Sequence, residues 1–321
     1  MKRFAHIVYV VDGSFPAPSA SLTTAAALAK NHHARLTLLL VNQVPSFSTE
    51  VQHLYQQALQ QQSDELEKLA NSLNLSDSVS VSIRTGKKYV EVIHAVQELH
   101  CDLVIKECDD AAWLQHLFGS DDMHLLRKCP TPVWLMKPNQ VPKYRNVVAA
   151  IDLESDSLEP NQKDKQLLNP KILEIAASIS LIDNANLHVI NAYDVAQAGF
   201  IGLWVGESDK NEQQLYENER RAKRYVLDSC LARFKQKVGE ETYQYLNPRL
   251  HLVQGAAAHE IPKFAQSVNA DLVVMGTLAR SGIAGVLIGN TAENILYQLN
   301  CAVVTLKPEG FVSPILAPSK S

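Results

Sequence analysis

The amino-acid sequence predicts an α/β protein made of two tandem domains, each with a parallel sheet covered by helices on both faces. Two observations support this prediction. The 321-residue chain contains two copies of one pattern, and in each copy short apolar runs alternate with helical stretches. Buried parallel strands are short apolar runs, and strands that alternate with helices are typical of a parallel sheet. At roughly 100–200 residues per domain, the length agrees with two domains.

The repeat rests on landmarks that recur in the same order along the chain. Asp102 and Asp271 stand at the same place in the two copies, 169 residues apart. The other matching segments are Arg84–Gly86 with Val253–Gly255, Phe118–Ser120 with Ile288–Asn290, and Val133–Pro138 with Val303–Pro308. Self-similarity in a fixed order indicates an internal repeat.

The second copy is longer than the first. Nearer the N-terminus the offset falls to 151 residues between Leu36 and Leu187, and to 140 between Asp12 and Asp152. We therefore expect insertions at two places in the second copy. The segment Pro138–Pro142 has a proline at each end, which is typical of a linker. The predicted domains are residues 1–140 and 141–321.

The first copy shows the expected order of elements most clearly. Period and composition predict five strands, at Ile7–Val11, Leu36–Val44, Val79–Thr85, Leu103–Lys106 and Val133–Met136. They predict helices at Ser19–Lys30, Glu50–Leu73, Val90–Leu99 and Asp121–Arg127. The second copy follows the same order.

Composition narrows the classes of function. The formal net charge is −4 and the isoelectric point about 6.3, so the chain as a whole does not attract nucleic acid or anionic membranes. No apolar run approaches 18 residues, and the N-terminus lacks the apolar region of a signal peptide, so we expect a cytoplasmic protein with no membrane partner. The five cysteines form no Cys-x-x-Cys pair and the 11 histidines show no metal-ligand spacing; we expect buried free thiols and no metal site.

Ligands of open parallel sheets bind beyond the carboxyl ends of the strands. Asp12 and Asp152 end the first strand of each copy, where a carboxylate can accept hydrogen bonds from a ribose or an adenine amine. The alternative is that each aspartate caps a turn or a helix. Residues alone leave both interpretations open.

The segment from Met275 to Glu293 carries the strongest binding signal. Gly276 follows a strand at a point where the backbone turns sharply or approaches a ligand, and Gly289-Asn290-Thr291 opens a predicted helix at Ala292–Leu299. A helix N-terminus suits a phosphate, and the Thr291 hydroxyl and the Arg280 guanidinium could add contacts. The alternative is that Asn290 caps the helix and Glu293 completes a capping box, which requires no phosphate.

In this segment the chain resembles the universal stress protein family, whose nucleotide-binding members carry Gly-x2-Gly-x9-Gly-(Ser/Thr) after the fourth strand. The spacing here is Gly276-x2-Ala279-x9-Gly289-Asn290, with Ala279 in place of the second glycine and Asn290 in place of the Ser/Thr. The resemblance covers nearly the whole chain twice, as in the tandem, E-type bacterial members. It implies two five-stranded parallel domains, similar to adenine nucleotide α-hydrolases, that pair through their last strands as an intramolecular pseudo-dimer. A homodimer of the whole chain is a further option.

The resemblance also implies a ligand and the residues that hold it. The ligand is ATP, with Mg²⁺, in the second copy. The implied nucleotide-binding positions, with the loop residues that complete them, are Asp152, Ala192, Met275, Gly276, Ala279, Arg280, Gly282, Gly289, Asn290 and Thr291. In the first copy Glu107 and Asp110 replace the first two glycine positions, and Asp121 and Asp122 enter the first helical turn, so we predict no nucleotide there.

Three hypotheses for function follow. The first is a stress-response protein that binds ATP in its second half as a switch; no catalytic residue is assigned, and any hydrolysis is slow. The second is a non-catalytic scaffold that binds no nucleotide, or another small molecule, and acts through protein partners; Ala279 and Asn290 favour it. The third is an enzyme of the wider nucleotide α-hydrolase-like group.

Two other stretches of the second copy have more than one interpretation. The apolar segment Gln197–Gly206 is either folded onto the core or a lid beside the ligand cleft. The charged stretch Glu217–Arg224 is interpreted as a solvated helix face.

Overall fold

The computed structural model describes residues 4–13, 18–43, 52–75, 78–108, 120–138, 143–153, 162–195, 208–277 and 288–317. Its strands are β1 (His6–Val11), β2 (Arg35–Asn42), β3 (Val79–Thr85), β4 (Leu103–Glu107), β5 (Val133–Met136), β6 (Asn146–Ala150), β7 (Asn186–Tyr193), β8 (Arg249–Gln254), β9 (Leu272–Gly276) and β10 (Ala302–Leu306). Its helices are α1 (Ala20–His32), α2 (Gln52–Ser72), α3 (Lys88–Leu99), α4 (Asp121–Lys128), α5 (Gln162–Asp183), α6 (Ser208–Val238), α7 (Glu240–Leu246), α8 (Ala257–Ser267) and α9 (Asn290–Gln298). The predicted alternation of strands and helices is confirmed.

Two compact units divide the chain. The C-terminal unit holds Tyr144–Cys301 and Leu306–Gly310, and the N-terminal unit holds Arg3–Lys143 together with Ala302–Thr305 and the residues from Phe311 onward. Most of β10 thus belongs by its contacts to the N-terminal unit.

The sheet of the N-terminal unit has the order β3-β2-β1-β4-β5-β10. Strands β1 to β5 are mutually parallel, as five apolar runs joined by helical connections require. Strand β10 runs antiparallel to β5, with Val304 opposite Trp134.

The sheet of the C-terminal unit places β9, β6, β7 and β8 side by side in that order, all parallel. In both units, therefore, the first and fourth strands of a copy are neighbours, and their carboxyl ends open on the same edge. That edge is where a parallel sheet leaves room for a ligand.

The aspartates that mark the repeat have the same structural role in both units. The Asp102 carboxylate accepts hydrogen bonds from the backbone N–H groups of Ala5 (2.7 Å) and His6 (3.3 Å). The Asp271 carboxylate accepts them from Arg145 (2.7 Å) and Asn146 (2.9 Å). Both lie where the first strand of the copy begins, so this repeat landmark stabilises the fold at the amino edge, opposite the ligand edge.

The cysteines are buried free thiols, as the sequence predicts. All five cysteines are free and buried. Burial raises the pKa of the Cys101 thiol to about 12 and also raises that of Cys230, so neither is a reactive thiolate at neutral pH. Within the described part of the chain, every helix is too short or too polar to cross a membrane.

Candidate functional site

The carboxyl edge of β6 and β9 is the centre of the candidate site. Ala150, the last residue of β6, is the register partner of Met275 in β9, so the two strands end together. Asp152 follows β6 by two residues and its side chain is exposed. Its backbone is clamped by the buried Asn169 of α5, which accepts from the Asp152 N–H (3.1 Å) and donates to its carbonyl (2.6 Å). The fold therefore presents the Asp152 carboxylate outward from a fixed backbone.

A lysine of α6 contacts Leu153, the residue that follows Asp152. Lys223 of α6 is buried, and its Nζ donates to the Leu153 carbonyl at 2.9 Å and lies 3.2 Å from Glu219. The interpretation of Glu217–Arg224 as a wholly solvated face is therefore wrong at Lys223. Its long side chain reaches back to the segment that carries Asp152, a tertiary contact that charge patterning cannot show.

The strand residues predicted to bind a nucleotide lie at the same edge. Ala192 is half-buried in β7 opposite Val253 of β8, and Met275 is buried in β9. Three predicted loop positions, Ala279, Arg280 and Gly282, lie outside the described residues, as does Gln197–Gly206.

Gly276 lies close against helix α5. A Cβ built on this residue would collide with the Cδ2 atom of Leu168 and would lie 3.9 Å from Cδ1 of Ile172, both on α5. The backbone at Gly276 therefore approaches a helix of the same unit. The small size of glycine favours this packing whether or not a ligand binds.

The two ends of the loop between β9 and α9 are tied together through Thr277. This residue is fully buried, and its carbonyl accepts a hydrogen bond of 3.0 Å from the Gly289 N–H. Its own N–H donates to the Leu306 carbonyl at 3.1 Å. Its hydroxyl accepts from Nζ of the buried Lys307 at 2.7 Å. The start of α9 is thus fixed to the ends of β9 and β10.

Helix α9 begins at Asn290, and its N-cap is Gly289. The predictions that Asn290 is the N-cap and that the helix starts at Ala292 are both wrong. Asn290 and Thr291 are the first two helical residues, and both are exposed. Glycine has no side chain with which to accept a hydrogen bond, so this N-cap leaves the first-turn N–H groups without the usual side-chain acceptor. Asn290 therefore lies inside the helix and is not the N-cap that the self-capping alternative requires.

The equivalent helix of the N-terminal unit is capped in the usual way. The Ser120 hydroxyl accepts a hydrogen bond from the Met123 N–H at 3.1 Å, and Asp121 and Asp122 occupy the first turn of α4. The two helix starts therefore differ: α4 has a serine cap and two aspartates in its first turn, whereas α9 has a glycine N-cap and one acidic residue, Glu293, in its first turn.

A buried lysine fills the corresponding edge of the N-terminal unit. Nζ of Lys106 lies 3.2 Å from Asp12 at the end of β1 and 3.0 Å from Asp122 in α4, and it donates to the Glu107 carbonyl at 2.8 Å. Lys88 of α3 contacts the other oxygen of Asp12 at 2.7 Å. The ammonium group of Lys106 thus joins the ends of β1 and β4 to the start of α4. We call Asp12, Lys88, Lys106 and Asp122 the lysine cluster.

The strand end that replaces Gly276 also has an internal partner. Glu107 accepts a hydrogen bond of 2.7 Å from the Ser21 hydroxyl on α1, and Ser21 also lies 2.6 Å from the Tyr9 hydroxyl. Burial raises the pKa of Tyr9, so the phenol stays protonated and available to hydrogen-bond. The first copy therefore has a polar network at this position, where the second copy has Gly276 packed against apolar residues of α5.

The fold and these two strand edges define a class: a tandem α/β protein. In its N-terminal unit the lysine cluster occupies the carboxyl edge of the sheet, and in its C-terminal unit that edge ends on a helix with a glycine N-cap. The chain belongs to the universal stress protein family, whose pattern matches residues 3–137 and 164–307. Relatives include universal stress protein E of Escherichia coli K12, 30% identical over 75% of this chain and 72% of its own, and that of Photorhabdus laumondii, 28% identical over 72% and 69%.

Solved structures share the fold over nearly the whole chain. A protein of unknown function from Pseudomonas aeruginosa PAO1 superimposes with a TM-score of 0.67 and 26% identity, covering 95% of this chain and 93% of that one. A universal stress protein from Archaeoglobus fulgidus gives a TM-score of 0.60 at 15% identity, covering 94% and 96%. The tandem universal stress protein architecture is therefore established.

Proposed function

We propose that the protein is a cytoplasmic stress-response protein that binds ATP at the carboxyl edge of its C-terminal unit and uses it as a switch. The observation that carries this proposal is the N-terminus of α9. Its first-turn N–H groups follow a glycine N-cap, and Asn290 and Thr291 are exposed beside them. Such a terminus, with its positive dipole end, favours a phosphate.

The other end of the ligand is assigned to Asp152. Because β6 lies next to β9, the exposed Asp152 carboxylate and the start of α9 belong to neighbouring strand ends. A carboxylate there accepts hydrogen bonds from a ribose or an adenine amine, while α9 receives the phosphates. We propose that Mg²⁺ accompanies the ATP phosphates and that any hydrolysis is slow; no catalytic residue is assigned.

A scaffolding role is favoured for the N-terminal unit. There the lysine cluster and the Ser120 cap satisfy the groups that an anion would use. We propose that this unit binds no nucleotide and supports the protein through its packing or through protein partners. The competing hypothesis for the whole chain is a scaffold that binds no nucleotide.

Isothermal titration with ATP and Mg²⁺ tests the proposal on three proteins: wild type, Asn290→Asp and Ser120→Asp. Asn290 is exposed, so the aspartate preserves packing and adds one negative charge at the start of α9. We expect its affinity for ATP to fall about tenfold or more through repulsion of the phosphates. Ser120→Asp adds the same charge at the start of α4, where aspartate caps as well as serine does, and should leave ATP affinity unchanged.

Two results would count against the proposal. The absence of heat from the wild type at millimolar ATP would favour the scaffold. Equal affinities for wild type and Asn290→Asp would show that the phosphates lie away from α9.

A further inference from the structure

Lys307 lies at the ligand edge of the C-terminal unit and is outside the predicted set of binding residues. It follows β10 directly, and only 7% of its surface is exposed. Its Nζ donates to the Thr277 hydroxyl at 2.7 Å. A lysine so deeply buried, with its ammonium group on a hydroxyl, carries positive charge into the protein at a defined place.

Thr277 connects that ammonium group to the start of α9. The hydroxyl of Thr277 contacts Lys307, and the carbonyl of the same residue accepts the N–H of Gly289, the N-cap of α9. The full charge of Lys307 and the positive end of the helix dipole are therefore held by one buried residue. Two positive elements fixed close together strengthen the binding of an anion more than either does alone.

We propose that Lys307 is a second positive element of the phosphate site, and that it makes the site prefer ligands with several phosphate charges. Thr277 is its positioning residue. This inference rests on the proposed function and extends it, because it predicts that ATP binds more tightly than ADP, AMP and adenosine in that order.

The N-terminal unit supplies a matched comparison. Lys137 follows β5 as Lys307 follows β10, but Cys108 stands where Thr277 does, so the hydroxyl that receives Lys307 has no counterpart. The deeply buried lysine of that edge is Lys106, whose charge is directed at Asp12 and Asp122. The two edges therefore hold their buried lysines at different positions: Lys106, at the end of β4, contacts carboxylates, and Lys307, after β10, contacts the hydroxyl of Thr277.

The test is titration of the full chain with ATP, ADP, AMP and adenosine, using wild type and the variants Lys307→Met, Lys307→Arg, Thr277→Val and Lys137→Met. We expect Lys307→Met to weaken ATP binding about tenfold or more and adenosine binding less than about twofold. Lys307→Arg keeps the charge and should stay within about threefold of wild type for ATP, and Lys137→Met should match wild type. Raising the salt concentration should weaken ATP binding by the wild type more than by Lys307→Met.

Folding and binding are separated within the same set. A native circular dichroism spectrum and an unchanged adenosine affinity would show that the site of Lys307→Met is intact. If that variant does not fold, Thr277→Val replaces it. Thr277→Val keeps the lysine and loses the hydroxyl, and we expect it to weaken ATP binding more than adenosine binding. Equal ATP affinities in wild type, Lys307→Met and Thr277→Val would overturn the inference and leave the proposed function standing. Absence of ATP binding by the wild type would overturn both.

Discussion

Nζ of Lys106 lies 3.0 Å from Oδ1 of Asp122, joining a strand end to the first turn of a helix inside the N-terminal unit. Both side chains are almost fully buried, with 2% and 5% of their surface exposed. The equivalent positions in the second copy are Met275 and Ala292, which are uncharged. The same edge therefore differs between the copies: a buried ion pair closes it in the first copy, and in the second it ends on a helix with a glycine N-cap.

Replacing Lys106 with methionine should destabilise the N-terminal unit. The buried Asp122 carboxylate would lose its cation, and breaking a buried ion pair in this way costs about 3–5 kcal/mol. We expect the midpoint of urea unfolding, followed by circular dichroism, to fall accordingly.

Two further variants show whether the ion pair is responsible. Lys88→Met removes the more exposed partner of Asp12, so its loss should be about 1 kcal/mol or less. Combining Lys106→Met with Asp122→Asn removes both charges and should recover part of the lost stability. A single variant Lys106→Met as stable as wild type would contradict the assignment.

Acid should weaken the C-terminal unit through a histidine pair in which His188 is buried and His251 is half-buried. Nδ1 of His188 in β7 lies 3.2 Å from Nε2 of His251 in β8, and Phe264 of α8 packs against both rings. Burial first, and then the nearby His251 and Arg249, lower the pKa of His188 to about 4; burial also lowers the pKa of His251. In the unfolded chain the pKa of a histidine is about 6.5.

Because the unfolded chain takes up the proton first, stability is complete above about pH 6.5 and falls as the pH drops toward 4. The loss from His188 is on the order of 3 kcal/mol and ends below pH 4, where both states are protonated. The measurement is the free energy of unfolding at pH 7.5 and pH 4.5 for wild type and His188→Thr, the residue type found at the equivalent Thr37. The variant should lose less stability between the two pH values. Parallel losses would show that His188 does not titrate in this way.

The fold was predictable from the sequence because its strands are short apolar runs. The predicted apolar run Val133–Met136 matches its strand residue for residue, and so does Val79–Thr85, in which apolar and polar residues mostly alternate. The order of elements followed from the repeat, which needs no knowledge of side-chain contacts. The start of α9 was placed two residues late because Asn290 is a good N-cap by local preference, whereas the hydrogen bond from Gly289 to Thr277 fixes the actual start.

The lysines of the two ligand edges were the main omission. Lys106, Lys223 and Lys307 are all buried, although lysine is usually a surface residue. For Lys106 a signal was present, since a lysine next to Leu103–Ile105 in an apolar strand requires a partner. Their partners are far apart in sequence, at Asp12 and Asp122, the Leu153 carbonyl and the Thr277 hydroxyl, so only the fold brings them together.

Gly276→Ala should lower stability by about 1–3 kcal/mol, because the new Cβ collides with Leu168 of α5. A double-mutant cycle with Leu168→Ala tests this cause: the alanine at position 276 should cost at least about 1 kcal/mol less when the leucine side chain is shortened, as contacting residues are coupled. The free energy of unfolding of the four proteins supplies the cycle. Titration with ATP of Gly276→Ala/Leu168→Ala, in which the collision is removed, then shows whether the glycine also serves the ligand. Additive costs in the cycle would mean that the glycine is needed for a reason other than its contact with α5.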